Sequence, residues 1–166
     1  MPLIVDGYNV LFCLAPHGTN SSPEAIEGAR ERLLRLLMSY LQATGQSITV
    51  VFDRKVPSGG ARREETLGGV RILYTHPPHT ADDDIRRMVE TSTAPHTLRV
   101  VTSDRELGNA CSRCGAAVVS ASAFLGDLNG VVAAARANET EQRMKQEPPS
   151  EDELRYWLNV FGGDEQ

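Results

Sequence analysis

A three-layer α/β domain, with a mostly parallel sheet of about five strands and helices on both faces, is predicted by two features of the sequence. Short apolar runs alternate along the chain with stretches of helical periodicity, the pattern of strand–helix–strand units. Aspartates stand where several of those runs end, and in such folds ligands bind at the carboxyl ends of the strands. The 166 residues suffice for one domain with its own core, and 40% hydrophobic and 23% charged residues are ordinary globular composition. No apolar run approaches the roughly 18 residues of a membrane span, and the mean hydropathy of -0.30 agrees. Met1 to Val5 lacks the basic and long apolar regions of a signal peptide. Three cysteines, two of them in Cys111-x-x-Cys114, make no disulfide framework and are expected as reduced cytoplasmic thiols.

In chain order, Leu3-Ile4-Val5 reads as a buried strand that stops at Asp6-Gly7. Ser22-Pro23-Glu24 is a helix start, with a capping hydroxyl, proline in the first turn and an acid behind it. Ile26, Ala29, Leu33, Leu37, Tyr40 and Leu41 then share one face until Gly45. Ile48 to Phe52 is the second strand, ending at Asp53. Arg54 to Gly69 is polar, carries Ser58-Gly59-Gly60 and Gly68-Gly69, and reads as a loop. Val70 to Tyr74 is the third strand, and Thr80 opens a helix carrying Ile85, Met88 and Val89. Leu98 to Val101 is the fourth strand, followed by a capping-box pattern at Ser103-Asp104-Arg105-Glu106. Ala116 to Val119 is the fifth strand and Ala121 to Arg136 a helix. Residues 1–138 thus form the α/β body. Residues 139–166 read as a charged linker with Pro148-Pro149 and a last helix packed on the same body. That helix places Leu154, Trp157, Leu158 and Phe161 on one face.

The charge is unevenly spread. Glu139 to Gln166 holds 8 of the 22 acids and 3 of the 17 bases, so this segment carries the whole net charge of -5 and the body is neutral. Arg54, Lys55, Arg62 and Arg63 are free of acids between them. A basic loop beside carboxylates can bind a polyanion locally, and an ordinary solvated loop would look the same.

Asp6 follows the first strand, Asp53 ends the second, and Asp104 lies just beyond the fourth, while Asp82, Asp83 and Asp84 open the helix after the third. In a parallel sheet these positions share one edge. Converging carboxylates repel one another unless a cation neutralises them, and hard oxygen donors suit Mg²⁺ or Mn²⁺. Helix-dipole stabilisation and turn formation account for such aspartates singly, but less well for the set. Asp82, three residues before Ile85 and seven before Val89, is expected to face the strand tips, with Asp83 beside it and Asp84 in solvent. Asn9 can hydrogen-bond a carboxylate or a scissile phosphate, and Thr102 and Ser103 offer hydroxyls beside Asp104. Tyr8 can stack on a base or pack internally. His76 and His79, with two prolines between them, make a poor zinc pair, and Cys111-x-x-Cys114 has no second pair to complete a site. A phosphohydrolase with a nucleophilic aspartate would carry a second one two positions on, where Tyr8 stands.

Leu3-Ile4-Val5-Asp6-Gly7-Tyr8-Asn9-Val10-Leu11 resembles the opening of NYN domains, a branch of the PIN-like nucleases. Thr80-Ala81-Asp82-Asp83-Asp84-Ile85 is similar to their second acidic motif and Val101-Thr102-Ser103-Asp104 to the third, while Trp157-Leu158-Asn159-Val160-Phe161 resembles the YacP-like subgroup. The resemblance implies a PIN-like sandwich and a metal-dependent endoribonuclease using one or two Mg²⁺ or Mn²⁺ ions. It implies single-stranded RNA, mRNA in a translation-linked context, as substrate, and the ribosome as a partner. Asp6, Asp82 and Asp104 become the core carboxylates, with Asn9, Asp53 and Asp83 around them and Asp83 as a candidate proton acceptor. Hydrolysis by water would leave 5′-phosphate and 3′-hydroxyl ends. The subgroup often has glycine after the aspartate of the second strand; here it is Arg54. A non-catalytic RNA- or ribosome-binding module on the same fold is the alternative.

Overall fold

The computed structural model describes residues 1–15, 22–53, 63–75, 77–146, 151–152 and 155–156. Strand β1 (Leu3–Asp6) runs into helix α1 (Gly7–Leu14), followed by α2 (Pro23–Thr44) and β2 (Ile48–Asp53). The hairpin of β3 (Arg63–Leu67) and β4 (Val70–Thr75) leads to α3 (Ala81–Glu90). Then come β5 (Arg99–Val101), α4 (Arg105–Arg113), β6 (Ala117–Val119) and α5 (Ala121–Gln146). The sheet order is β3-β4-β2-β1-β5-β6, and every pair is parallel except β3 with β4.

Side-chain alternation along the strands sorts two cores. Leu3, Val5, Val50, Phe52, Ile72 and Val101 pack with Val10 and Leu11 of α1, Leu33 and Leu37 of α2, and Phe124 and Leu128 of α5. Ile4, Val51, Leu73 and Val100 pack with Ile85 and Val89 of α3 and Leu107 and Cys111 of α4. Each large apolar side chain so buried stabilises the fold by about 1.5–3 kcal/mol before the entropy of ordering it. The same period of two reaches the carboxyl edge. Asp6, Asp53 and Thr75 at the ends of their strands, and Thr102 just past β5, share the parity of Ile4, Val51, Leu73 and Val100. They therefore emerge on the side covered by α3 and α4.

Four expectations need correction. The described sheet has six strands, the addition being β3, inside the segment read as a loop. Its sequence Arg-Glu-Glu-Thr-Leu is polar because it is an edge strand, and charged edges resist pairing with other chains. Gly68-Gly69 is its hairpin turn: both residues have positive φ, at 54° and 87°, as tight hairpins require. Helix α1 went unread because it starts on glycine and shows little periodicity; Asp6 caps it and Val10 and Leu11 anchor it. Helix α4 is capped by Asp104, one residue after the expected Ser103, with its Oδ1 accepting the Leu107 N–H at 2.8 Å. Helix α5 extends to Gln146, through residues whose charge suggested a linker, because Glu, Gln, Arg, Met and Lys are all good helix formers.

The chain divides into two compact units, Met1–Val132 and Ala133–Gln166. The first holds the sheet and both cores. The second holds the remainder of α5 and the helical residues 151–152 and 155–156. Leu154, Trp157, Leu158 and Phe161 lie outside the described residues, and with them the expected packing of the last helix. Among the described residues no helix is long and apolar enough to cross a membrane.

Candidate active site

Asp6 stands at the centre of the carboxyl edge. Its Oδ1 accepts the Asn9 N–H at 3.2 Å, and its Oδ2 accepts from Asn9 Nδ2 at 2.8 Å and Thr102 Oγ1 at 3.1 Å. Only 5% of the residue is exposed. Burial pushes its pKa up, the bonds from Asn9 and Thr102 pull it back, and the charge of Asp53 adds to the rise. Close packing fixes the turn out of β1: a Cβ on Gly7 would run into the ring of Phe52.

Asn9 is a bracket. Its Nδ2 donates to Asp6 while its Oδ1 accepts the Ser103 N–H at 3.2 Å, joining α1 to the loop after β5. Of the two roles expected for Asn9, the structure supplies the carboxylate partner. Thr102 continues the chain: its Oγ1 donates to Asp6 and accepts the Asp104 N–H at 3.1 Å. Asp104 itself is exposed at the start of α4.

Asp53 closes the other side. Its Oδ1 accepts from Thr75 Oγ1 at 2.8 Å and from the Ala81 N–H at 2.6 Å, so one carboxylate ties the end of β4 to the positive end of α3. Thr75, buried and unremarked in the sequence, could have been found by its parity with Leu73.

The opening of α3 departs from expectation in detail. Ala81, Asp84, Ile85 and Val89 are its buried residues, so the apolar stripe passes through Ala81 and Asp84 rather than Asp82, and Asp84 is buried rather than solvated. Asp82 sits beside the stripe, partly exposed, where the sheet has ended. Its pKa is raised to about 6, first by burial and then by the charges of Asp6, Asp104 and Asp53, against the pull of Arg86. Asp6, Asp53 and Asp104 thus lie within electrostatic reach of Asp82. Asp83 is not among the charges that raise its pKa. Exposed, its Oδ2 accepts from Thr80 N–H and Oγ1, each at 3.0 Å, and its own N–H donates to Thr80 Oγ1, a reciprocal cap that holds its pKa below the usual range.

The donor set is oxygen throughout and its negative charge is offset only in part, by Arg86, which fits a hard divalent cation. Among the described residues, however, no three His, Cys, Asp or Glu side chains are arranged to hold one ion.

The remaining candidates fall elsewhere. The Tyr8 ring, for which the sequence leaves base stacking and internal packing both open, is half-buried and meets Phe52 edge-on at 5.6 Å and Phe12 at 6.0 Å. Arg54, Lys55 and Arg62 lie outside the described residues, as do His76 and the side chain of Arg63. Cys111 is buried in the second core, where burial pushes its thiol up to about 11, far from a reactive thiolate.

Fold and site together define a PIN-like α/β domain with an acidic carboxyl edge. The chain belongs to the YacP-like NYN domain family, which matches residues 3–157 and whose domains are generally nucleases. YacP of Bacillus subtilis (strain 168) is 30% identical over 103 residues, 61% of this chain and 59% of that protein, so the match spans about three fifths of the relative's length. The crystal structure of Rae1 (YacP) from Bacillus subtilis aligns with a TM-score of 0.69 at 26% identity, covering 99% of this chain and 96% of that one. A tryptophan-to-leucine mutant of the same protein aligns at 0.67 and 25% identity, covering 89% and 86%.

Proposed function

We propose that this chain is a metal-dependent endoribonuclease that hydrolyses phosphodiester bonds in single-stranded RNA, with mRNA in a translation-linked context as substrate and the ribosome as partner. The observation that carries the reading is the group of four carboxylates, Asp6, Asp53, Asp82 and Asp104, each raising the proton affinity of Asp82 or raised with it at one sheet edge. Family membership supports the nuclease class.

Asp6, Asp82 and Asp104 would hold one or two Mg²⁺ or Mn²⁺ ions, with Asp53 behind them. Bound there, such an ion lowers the pKa of water and offsets charge on the phosphate. The chain's own residues prepare the edge. Asn9 and Thr102 fix both oxygens of Asp6, a constraint of the kind that orients ligands. Asp83 holds Thr80 and thereby fixes the turn that presents Asp82, a positioning part in place of the proton acceptor expected there. The basic residues Arg54, Lys55, Arg62 and Arg63 would hold the RNA backbone.

The absence of a closed three-ligand set among the described residues favours a second reading, an RNA- or ribosome-binding module without catalysis. One experiment separates them. Purified protein is incubated with end-labelled single-stranded RNA and Mn²⁺, with and without chelator. The expected products are internal cuts with 5′-phosphate and 3′-hydroxyl ends, absent with chelator. Asp6→Asn, Asp82→Asn and Asp104→Asn should each reduce the rate by about 100-fold or more while the fold survives. An undiminished rate in a folded Asp6→Asn protein overturns the assignment, and RNA binding without cleavage by the wild type selects the second reading.

A further inference from the structure

Beside the carboxylates lies a cleft of about 360 Å³, between the loop that opens α4 and the loop that opens α5. Asp104 stands in its wall, with Ser103, Arg105, Asn109, Ser112 and Ser120 among the other polar lining residues. Its lining contains no aromatic ring on which a base could stack, and its one cation is Arg105. What it offers instead is neutral hydrogen-bonding chemistry, an amide and four hydroxyls, of which that of Thr102 already donates to Asp6.

Two of those hydroxyls are already oriented. Ser103 Oγ accepts the Ala121 N–H at 3.1 Å, and Ser120 Oγ accepts the Ala123 N–H at 3.3 Å. An oxygen used as a backbone acceptor still has its proton to donate, so Ser103 suits an acceptor atom in the cleft, while Ser120 Oγ also lies 3.3 Å from Ser122 Oγ and shares its hydrogen bonding there. The carboxamide of Asn109 can donate and accept at once. A ribose hydroxyl is the ligand that needs both, and the 2′-hydroxyl is the group that separates RNA from DNA. Resting on the nuclease reading above, we propose that this cleft is a ribose-reading subsite. It takes the nucleoside next to the phosphate that lies over Asp104, through hydrogen bonds from Asn109 and Ser112 to the sugar, with Arg105 on the following phosphate.

The test compares binding with cleavage. Anisotropy of a labelled 12-residue RNA and of the DNA of the same sequence is measured in chelator at low salt, for wild type and for Asn109→Ala/Ser112→Ala. The wild type should favour RNA by about tenfold, the worth of one or two hydrogen bonds, and the double variant should bring the ratio close to one with its Tm unchanged. Amide chemical shifts of Gly108 and Asn109 should move on titration with the ribodinucleotide UpU, and much less with its deoxy counterpart. Equal binding of RNA and DNA by the wild type, no binding of either, or a ratio unaltered in the variant overturns the subsite. Cleavage in Mn²⁺ is scored separately. A wild type that cuts RNA with an unresponsive ratio keeps the nuclease and loses the subsite. One that cuts nothing while its ratio responds keeps an RNA-binding cleft and loses the nuclease.

Discussion

At the scale of single residues, the site is a case of aspartates with two uses. Asp6 caps α1 and Asp104 caps α4, while Asp53 receives the first N–H of α3. Each is therefore explicable by local structure, and only Asp82 lacks a capping task. Asp82 is also the group whose pKa is raised to about 6, by burial first and then by the charges of the other three. A carboxyl group with a raised folded-state pKa contributes stability that is fully present below the unfolded value and lost as pH rises through the folded value. For Asp82 the loss runs from about pH 4 to about pH 7. Because the side chain is partly exposed, the shift is discounted for screening to about 1 kcal/mol. Asp82→Asn should consequently raise the Tm of metal-free protein by about 2–4 °C at pH 7.5 and leave it nearly unchanged at pH 4. Thermal unfolding in chelator at both pH values checks this; equal shifts at the two would mean that Asp82 does not carry the cluster's repulsion.

At the scale of elements, α1 is the piece that converts a strand end into a site. It begins at once after β1, so Asp6 must serve as last strand residue and helix cap together, and Asn9 falls one turn on, where its amide reaches both Asp6 and Ser103. That tight exit depends on the missing side chain at position 7, whose space the Phe52 ring fills. Gly7→Ala should force the two apart at a cost of about 1–3 kcal/mol. Helix formation alone would predict the opposite sign, since alanine is the better helix former. A lower Tm together with weakened cleavage is the expected result. A Tm equal to or above that of the wild type would show that Phe52 yields easily and that the turn is not the constraint. The hairpin at the far edge works by a similar rule, for a Cβ on Gly68 would meet the side chain of Met38 on α2.

At the scale of the molecule, what was legible in the sequence is what repeats. The alternation of Leu3, Ile4 and Val5 and the long stripe of α2 between Ser22 and Gly45 both survive in the structure. Elements held by tertiary partners left weaker traces: β3 is polar because of its edge position, and α1 starts on a glycine required by Phe52. Within the site, spacing put Asp82 on the core-facing stripe and Asp84 in solvent, whereas the stripe runs through Ala81 and Asp84, because a helix start shows too few residues to fix the centre of its buried stripe. Thr75 acquires its meaning only from across the sheet, and Asn9 takes the second half of its bracket from Ser103, distant in the chain. The four carboxylates are thus assembled from four separate stretches of chain, and anything that neutralises them should stabilise the whole sheet edge. Mn²⁺ is the direct probe. If the native cluster binds it and the unfolded chain does not, Tm rises with concentration above the dissociation constant, by about 2.7 kcal/mol of stability at a hundredfold excess. The rise should be small in Asp82→Asn and Asp104→Asn. It should also fade below about pH 6, where Asp82 takes up a proton that the cation must displace. A wild-type Tm indifferent to Mn²⁺ at neutral pH, in a protein that cuts RNA only when Mn²⁺ is present, would move the metal from these aspartates to the enzyme–RNA complex.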